Sequence, residues 1–195
     1  WNVAKRMQGQ LDSPLTEMGL SQARILGSYL RGEDISVIYS SSLPRAQRTA
    51  TIIQRETGLE KFITTDSLVE IGLAGLEGRT FASATEEYPE RMAAFASSPA
   101  DFVPLGNGEY FSEVQKRALD FIFPLFEKHK DEKVLIVTHA VILRLIMAHF
   151  EKIWFNDYWK IHGFFYPCSI SRVIFDGQTY EVAERNSIEY AKRGF

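Results

Sequence analysis

The run Lys133-Val134-Leu135-Ile136-Val137-Thr138 constrains the fold more than any other stretch of this chain. It is apolar at consecutive positions and rich in β-branched residues, so it reads as a strand inside a sheet that is covered on both faces. Such a sheet needs helices above and below it. Helix-like and strand-like segments do alternate along the sequence, which predicts an α/β fold. We expect a three-layer α/β/α sandwich around a mostly parallel central sheet, with a small helical cap. The whole chain, 1–195, reads as a single domain whose cap insertion covers about 80–111. With 195 residues it can bury most of its apolar surface.

Other segments fill in this plan. Thr16 can cap a helix to about Arg31, with Leu20, Ala23, Leu26, Gly27 and Leu30 as its inner stripe. Ser36 to Ser40 and Phe62 to Thr65 read as short strands, and a helix begins near Pro44, a residue tolerated in a first turn. Gly72, Gly75 and Gly78 mark a loop. From Thr80 to about Asn107, Pro89, Pro99 and Pro104 interrupt short helical pieces. Ser112 to about His129 has helical spacing, with a kink or early break expected at Pro124. Val141 to Phe150 reads as helix, and Asp176-Gly177 joins two alternating strands into a hairpin.

Charge and cysteine content narrow the partners. The net charge of -3 offers no bulk attraction to nucleic acid or to an anionic membrane. A small anionic substrate would have to be held by local positive groups. No apolar run approaches the roughly 20 residues that span a bilayer. The single cysteine, Cys168, excludes an internal disulfide and suits a cytoplasmic location; it reads as a small buried residue in a strand.

Candidate chemistry gathers at strand-to-helix junctions, the edge of an open α/β sheet where ligands bind. His139 follows the strongest strand at once. Arg45 holds the matching place after another strand, in Ser-Ser-Ser-Leu-Pro-Arg-Ala, where a cation at a helix start opposes the macrodipole unless an anion is present too. Glu70 precedes the glycine-rich loop, and a turn at Gln8-Gly9 can offer backbone N–H groups. Arginine's fixed fork of donors suits phosphoryl oxygens. A neighbouring histidine can donate further hydrogen bonds, and a carboxylic acid can protonate a leaving alkoxide. These are parts for phosphoryl transfer without a metal or other cofactor, lacking a nucleophile.

Four motifs in one order make the sequence similar to the histidine phosphatase (phosphoglycerate-mutase-like) superfamily, and most of all to its short broad-specificity phosphatases. They are Trp1-Asn2 with Met7-Gln8-Gly9 through Thr16; Ser41-Ser42-Leu43-Pro44-Arg45-Ala46-Gln47-Arg48-Thr49-Ala50; Leu68-Val69-Glu70 with Gly75-Leu76-Glu77-Gly78; and Val137-Thr138-His139-Ala140 with Leu143-Arg144. The resemblance implies that Arg45 clamps the phosphoryl group, His139 holds its oxygens and Glu70 is proton donor and then base. Asn2, Gln8, Gly9, Arg45 and Ala140 would line the substrate pocket. It implies a metal-independent phosphatase of small phosphate monoesters working through phosphohistidine. In the family an Arg-His-Gly-Glu-Thr-x segment directly precedes Trp-Asn and carries the nucleophilic histidine. That segment is expected upstream of Trp1 and should add a central strand, so the 195 residues alone are expected not to turn over.

One departure lies inside the motifs: Ala140 stands where the family has glycine. A methyl group there is costly if the backbone needs a positive φ and harmless if Ala140 simply opens a helix. His129, His149 and His162 read as surface or packing residues, and the cap aromatics as cap packing. Two other functions stay open: a phosphoglycerate mutase, and a non-catalytic phosphate-ester-binding relative. Retention of Glu70 speaks against pure binding. Lys160 and Arg172 are further basic residues without an assigned place.

Overall fold

A computed structural model describes Trp1 and residues 4–192. Helices α1 (Glu17–Leu30), α2 (Pro44–Thr57), α3 (Phe81–Glu87), α4 (Pro89–Ser97), α5 (Phe111–Lys128), α6 (Ala140–Phe150), α7 (Phe155–Ile161) and α8 (Glu189–Lys192) alternate with strands β1 (Ile35–Ser41), β2 (Phe62–Thr65), β3 (Lys133–Val137), β4 (Ile170–Phe175) and β5 (Tyr180–Ser187). The parallel sheet has the order β2-β1-β3, and β4 and β5 form an antiparallel hairpin. The fold is α/β, with helices on both faces of the sheet.

Alternation along the strands separates two cores. Val37 and Tyr39 of β1 face a large core with α5, α6 and the cap, while Ile38 faces a smaller one with Leu26, Leu30 and Ile53. Strand β3 repeats the pattern: Val134 and Ile136 join the first core, Leu135 and Val137 the second. The hairpin also reaches both, through Val173 and Val182 on one side and Ile170 on the other.

Local chemistry sets the element ends. The Thr16 hydroxyl accepts the Gly19 N–H at 3.1 Å and starts α1. Pro44 occupies the first turn of α2, which Gly58 closes in the left-handed region at φ 76°.

Three expectations need correction. Pro124 does not end α5, which runs on to Lys128. Pro124 is exposed, so water can take the carbonyl that loses its N–H partner. Strand β3 is only half-buried from Val134 to Val137, because among the described residues β1 alone pairs with it. Cys168 lies in a half-buried turn just before β4, with a left-handed φ of 56°, rather than in a strand.

Candidate active site

The C-terminal ends of the parallel strands bring the candidate residues to one edge. Strand β1 ends at Ser41 and leads into α2 with Arg45, while β3 leads through Thr138 and His139 into α6. From β2 the chain passes through a 3-10 turn, Asp66–Leu68, to Glu70. The Thr138 hydroxyl donates to the Leu68 carbonyl at 2.7 Å and ties two of these junctions together.

Arg45 is held by backbone. Its guanidinium donates to the Leu11 carbonyl at 2.8 Å and the Gly9 carbonyl at 2.7 Å. The anion that a helix-start arginine needs is Asp12, 3.6 Å from Nη1 and accepting the Arg45 backbone N–H at 3.2 Å. Burial lowers the Arg45 pKa, and the carboxylates of Glu70, Asp12 and Glu77 oppose that shift. A cavity of about 300 Å³ opens beside it, between Asp12, Ser13, Leu15, Leu20 and Arg48.

Glu70 is buried, not the surface carboxylate its loop context would suggest in isolation. One oxygen accepts the N–H groups of Ile71 at 3.0 Å and Ile142 at 3.2 Å, and the other accepts Val141 at 3.1 Å. The carboxyl thus sits on the N-terminus of α6, where the helix dipole favours a negative charge. Burial raises its pKa and outweighs those N–H bonds and Arg45, which lower it. A carboxyl with a raised pKa, close to a cation, can release and regain a proton nearer neutrality than a free glutamate.

His139 Nε2 lies 2.7 Å from the Ser41 hydroxyl, which accepts the Leu43 N–H at 3.2 Å. The hydroxyl keeps one acceptor lone pair and its own proton, so it can pair with Nε2 in either neutral tautomer. Burial first, then the charges of Arg45 and Arg117, push the His139 pKa well below the ordinary histidine range. A bound oxyanion would reverse the charge effect and favour the imidazolium.

The remaining candidates fall out as follows. Gly9 is buried at φ 54°, and a Cβ there would run into the Glu77 carboxylate. Glu77 cannot give way freely, since it accepts the N–H groups of Gln10 at 2.8 Å and Leu73 at 3.0 Å. Gln8 is half-buried and donates to the Ser13 hydroxyl at 2.9 Å. Ala140 is the exposed first residue of α6 and is not among the positive-φ residues, so alanine replaces glycine there without backbone strain. Asn2 lies outside the described residues.

Several polar partners escaped the sequence reading: Asp12, Ser41, Glu77, Glu109 and Arg117. Asp12, Ser41 and Glu77 stood inside the motifs, where their types alone gave no role. Glu109 and Arg117 had no periodic signal at all. The other basic candidates lie elsewhere. Lys160 pairs with Asp157 at 3.6 Å, and Arg172 lies near Glu33 and Glu184. His129 bonds Tyr39 and Glu132, and His149 packs on Phe123 and Phe150. His162 stacks against Tyr158. In the cap, Phe95, Phe102 and Phe111 meet edge to face with centroids 5.3–5.5 Å apart, while Phe81 and Tyr110 are exposed. Among the described residues no three histidine, cysteine, aspartate or glutamate side chains gather as metal ligands. No helix among them is long and apolar enough to cross a membrane.

Comparison with known proteins points the same way as this geometry. The sequence matches the family described as Histidine phosphatase superfamily (branch 1) over residues 1–188. It is 38% identical over 147 residues to the metal-independent phosphoserine phosphatase of Arabidopsis thaliana, covering 75% of this chain and 62% of that protein. It is 34% identical over 145 residues to phosphoglycerate mutase-like protein 4 of the same organism, covering 74% and 63%. The chain thus spans about three-fifths of the length of these two relatives. Among solved structures, Bacillus stearothermophilus YhfR superposes with a TM-score of 0.92 at 35% identity, covering 97% of this chain and 93% of that one.

Proposed function

We propose that this chain, which belongs to the histidine phosphatase superfamily (branch 1), carries the clamp, the transition-state donor and the proton donor of a metal-independent phosphomonoesterase. The observation that carries the reading is Glu70: a buried carboxyl on the N-terminus of α6, within electrostatic reach of Arg45. Fold alone would not decide the chemistry. A buried carboxyl of raised pKa beside a phosphate-binding arginine and a histidine suits proton delivery during phosphoryl transfer.

In this reading Arg45 and His139 hold the non-bridging oxygens while a histidine attacks phosphorus. The P–N bond forms as the P–O ester bond breaks, and the Glu70 carboxylic acid gives its proton to the leaving alkoxide. Glu70, now a carboxylate, takes a proton from water as that water attacks the phosphohistidine. Inorganic phosphate leaves, and imidazole and acid are restored. Gln8, Gly9, Ala140 and Asn2 are assigned to the walls of the pocket. The family motif places the attacking histidine ahead of Trp1-Asn2, so the codons upstream of Trp1 should encode Arg-His-Gly in frame.

The substrate is a small phosphate monoester, a class to which the phosphoserine named for the Arabidopsis relative belongs. We assign it no nucleic acid or membrane partner, and a cytoplasmic location. A mutase reading has support from the second Arabidopsis relative but is the weaker one. Kinetics separate them. Expressed with its upstream codons, the protein should hydrolyse p-nitrophenyl phosphate in excess EDTA. Loss of activity to EDTA, or interconversion of phosphoglycerates with negligible hydrolysis, would overturn the phosphatase reading.

A further inference from the structure

Behind Glu70 lies a polar network that the proposed reaction does not itself use. Glu109 Oε2 accepts the Gly72 N–H at 2.7 Å and Arg117 Nη2 at 3.1 Å, and Oε1 accepts Arg117 Nε at 2.7 Å. The same guanidinium donates to the Ser67 carbonyl at 3.0 Å and to the Glu70 carbonyl at 3.1 Å. Gln10 adds its amide to the Glu70 carbonyl at 3.1 Å and to Glu109 Oε2 at 3.3 Å. The Glu109 N–H closes the ring on the Gly72 carbonyl at 2.8 Å.

These bonds fall on residues 67, 70 and 72, on both sides of the Glu70 Cα. Both ends of the Glu109–Arg117 pair are mostly shielded, with 24% and 22% of their side chains exposed. A bidentate guanidinium–carboxylate pair is geometrically specific. Here the guanidinium also gives two further N–H groups to the loop backbone. Arg117 projects from α5, a long helix packed into the main core, so the loop is referred to a rigid element. Surface salt bridges contribute little as a rule. This one is set apart by where its spare donors go.

We propose that Glu109 and Arg117 form a positioning unit that fixes the Glu70 carboxyl on the N-terminus of α6. The assignment rests on the reading of Glu70 as proton donor, but the geometric part stands without it. The two residues touch no substrate; they act through the backbone of residues 67–72. Gln10 extends the unit to the turn that carries Gly9, so the arginine clamp and the acid share one support.

Two arms test this on the protein expressed with its upstream codons. The first is hydrogen exchange, which needs no activity. The amides of Ile71, Val141 and Ile142 rest on the Glu70 carboxylate. In Arg117→Met they should exchange about tenfold faster, with β1 amides unchanged. Arg117→Lys should fall between, and Glu109→Gln, a milder change, covers the case in which Arg117→Met does not fold. The second arm compares leaving groups. A mispositioned acid should lower kcat/KM, which reports phosphoryl transfer to the histidine, about 10²-fold for an alkyl phosphate, while p-nitrophenyl phosphate, whose leaving group needs little protonation, loses far less. Unchanged exchange at the three amides, or equal acceleration in β1, overturns the positioning role. If Glu70→Gln itself shows no leaving-group dependence, the proton-donor reading fails, and the exchange arm still decides whether the unit positions Glu70.

Discussion

The floor of the site and the cap are built on different physics. In the floor, residues 67–72 and the starts of α2 and α6 are held by directed hydrogen bonds to Arg45, Glu70, Glu109, Arg117 and Thr138. The cap, from α3 to the start of α5, is held by apolar area: Ala84, Met92 and Phe102 are buried, and Phe95 packs edge to face on two neighbours. Hydrogen bonds fix atoms to within tenths of an ångström and fail when one atom is changed. Apolar packing fixes shape and volume and tolerates exchange of like for like. The floor should therefore answer to single-atom changes in function, and the cap to volume changes in stability.

The sharpest way to break that contrast is Glu70→Gln. One carboxyl oxygen becomes an amide nitrogen with no proton to give. Turnover of an alkyl phosphate should fall about 10³-fold, while binding of inorganic phosphate changes by less than about tenfold. Equal losses in both would make Glu70 a structural cap of α6 and remove the distinction.

The matching test in the cap is Phe102→Ala, at a residue with 1% exposure among Phe95 and Phe111. Denaturant unfolding should show a loss of about 3 kcal/mol or more. Turnover per folded molecule should change little. A large kcat effect at unchanged stability would show that the cap, too, places atoms for chemistry.

The pH dependence of stability separates two groups within the floor. The Glu70 pKa is raised in the folded state, so its contribution is full below the ordinary glutamate pKa and is lost as pH rises through the raised value. The His139 pKa is depressed, so its contribution is present above the ordinary histidine pKa and is lost as pH falls toward the lowered value. Between pH 4 and 8 the stability advantage of the wild type over Glu70→Gln should therefore shrink as pH rises. Its advantage over His139→Gln should grow. The opposite slopes in urea midpoints would contradict the burial assigned to each. Smallest of all should be Phe81→Ala in the cap, at 39% exposure. Stability should stay within about 0.5 kcal/mol, and a change in KM would show that Phe81 meets the substrate.

Periodicity made much of this molecule legible. Apolar spacing located α1, α5 and α6 to within a residue or two at their ends, because burial of one face writes itself into sequence, while Pro44 marked the start of α2 and Asp176-Gly177 the turn of the hairpin. The same signal located β3 but not the depth of its burial. Four apolar residues announce a strand interior, yet no local pattern states how many strands pair with it. The break allowed for at Pro124 is absent for a related reason: a proline's cost depends on whether its side of the helix meets water, a tertiary fact. At the site, Arg45 and His139 were visible because each follows a readable strand end, and Glu70 because it precedes a glycine-rich loop. Asp12, Glu109 and Arg117 were not. Glu109 and Arg117 pair with each other eight residues apart, but the site backbone they hold, like the partner of Asp12, lies 33 to 50 residues away, and only the folded chain brings it to them.

The central claim is that the Arg45, His139 and Glu70 edge serves phosphoryl transfer to a histidine. It is tested most directly by acid-free quenching of the protein, expressed with its upstream codons, during hydrolysis of a ³²P-labelled monoester. An acid-labile, base-stable phosphoenzyme should form and should accumulate further in Glu70→Gln with a good leaving group, where loss of the base slows water attack. Hydrolysis with no trappable phosphoenzyme in either protein, or a phosphoenzyme that is stable to acid, would contradict it.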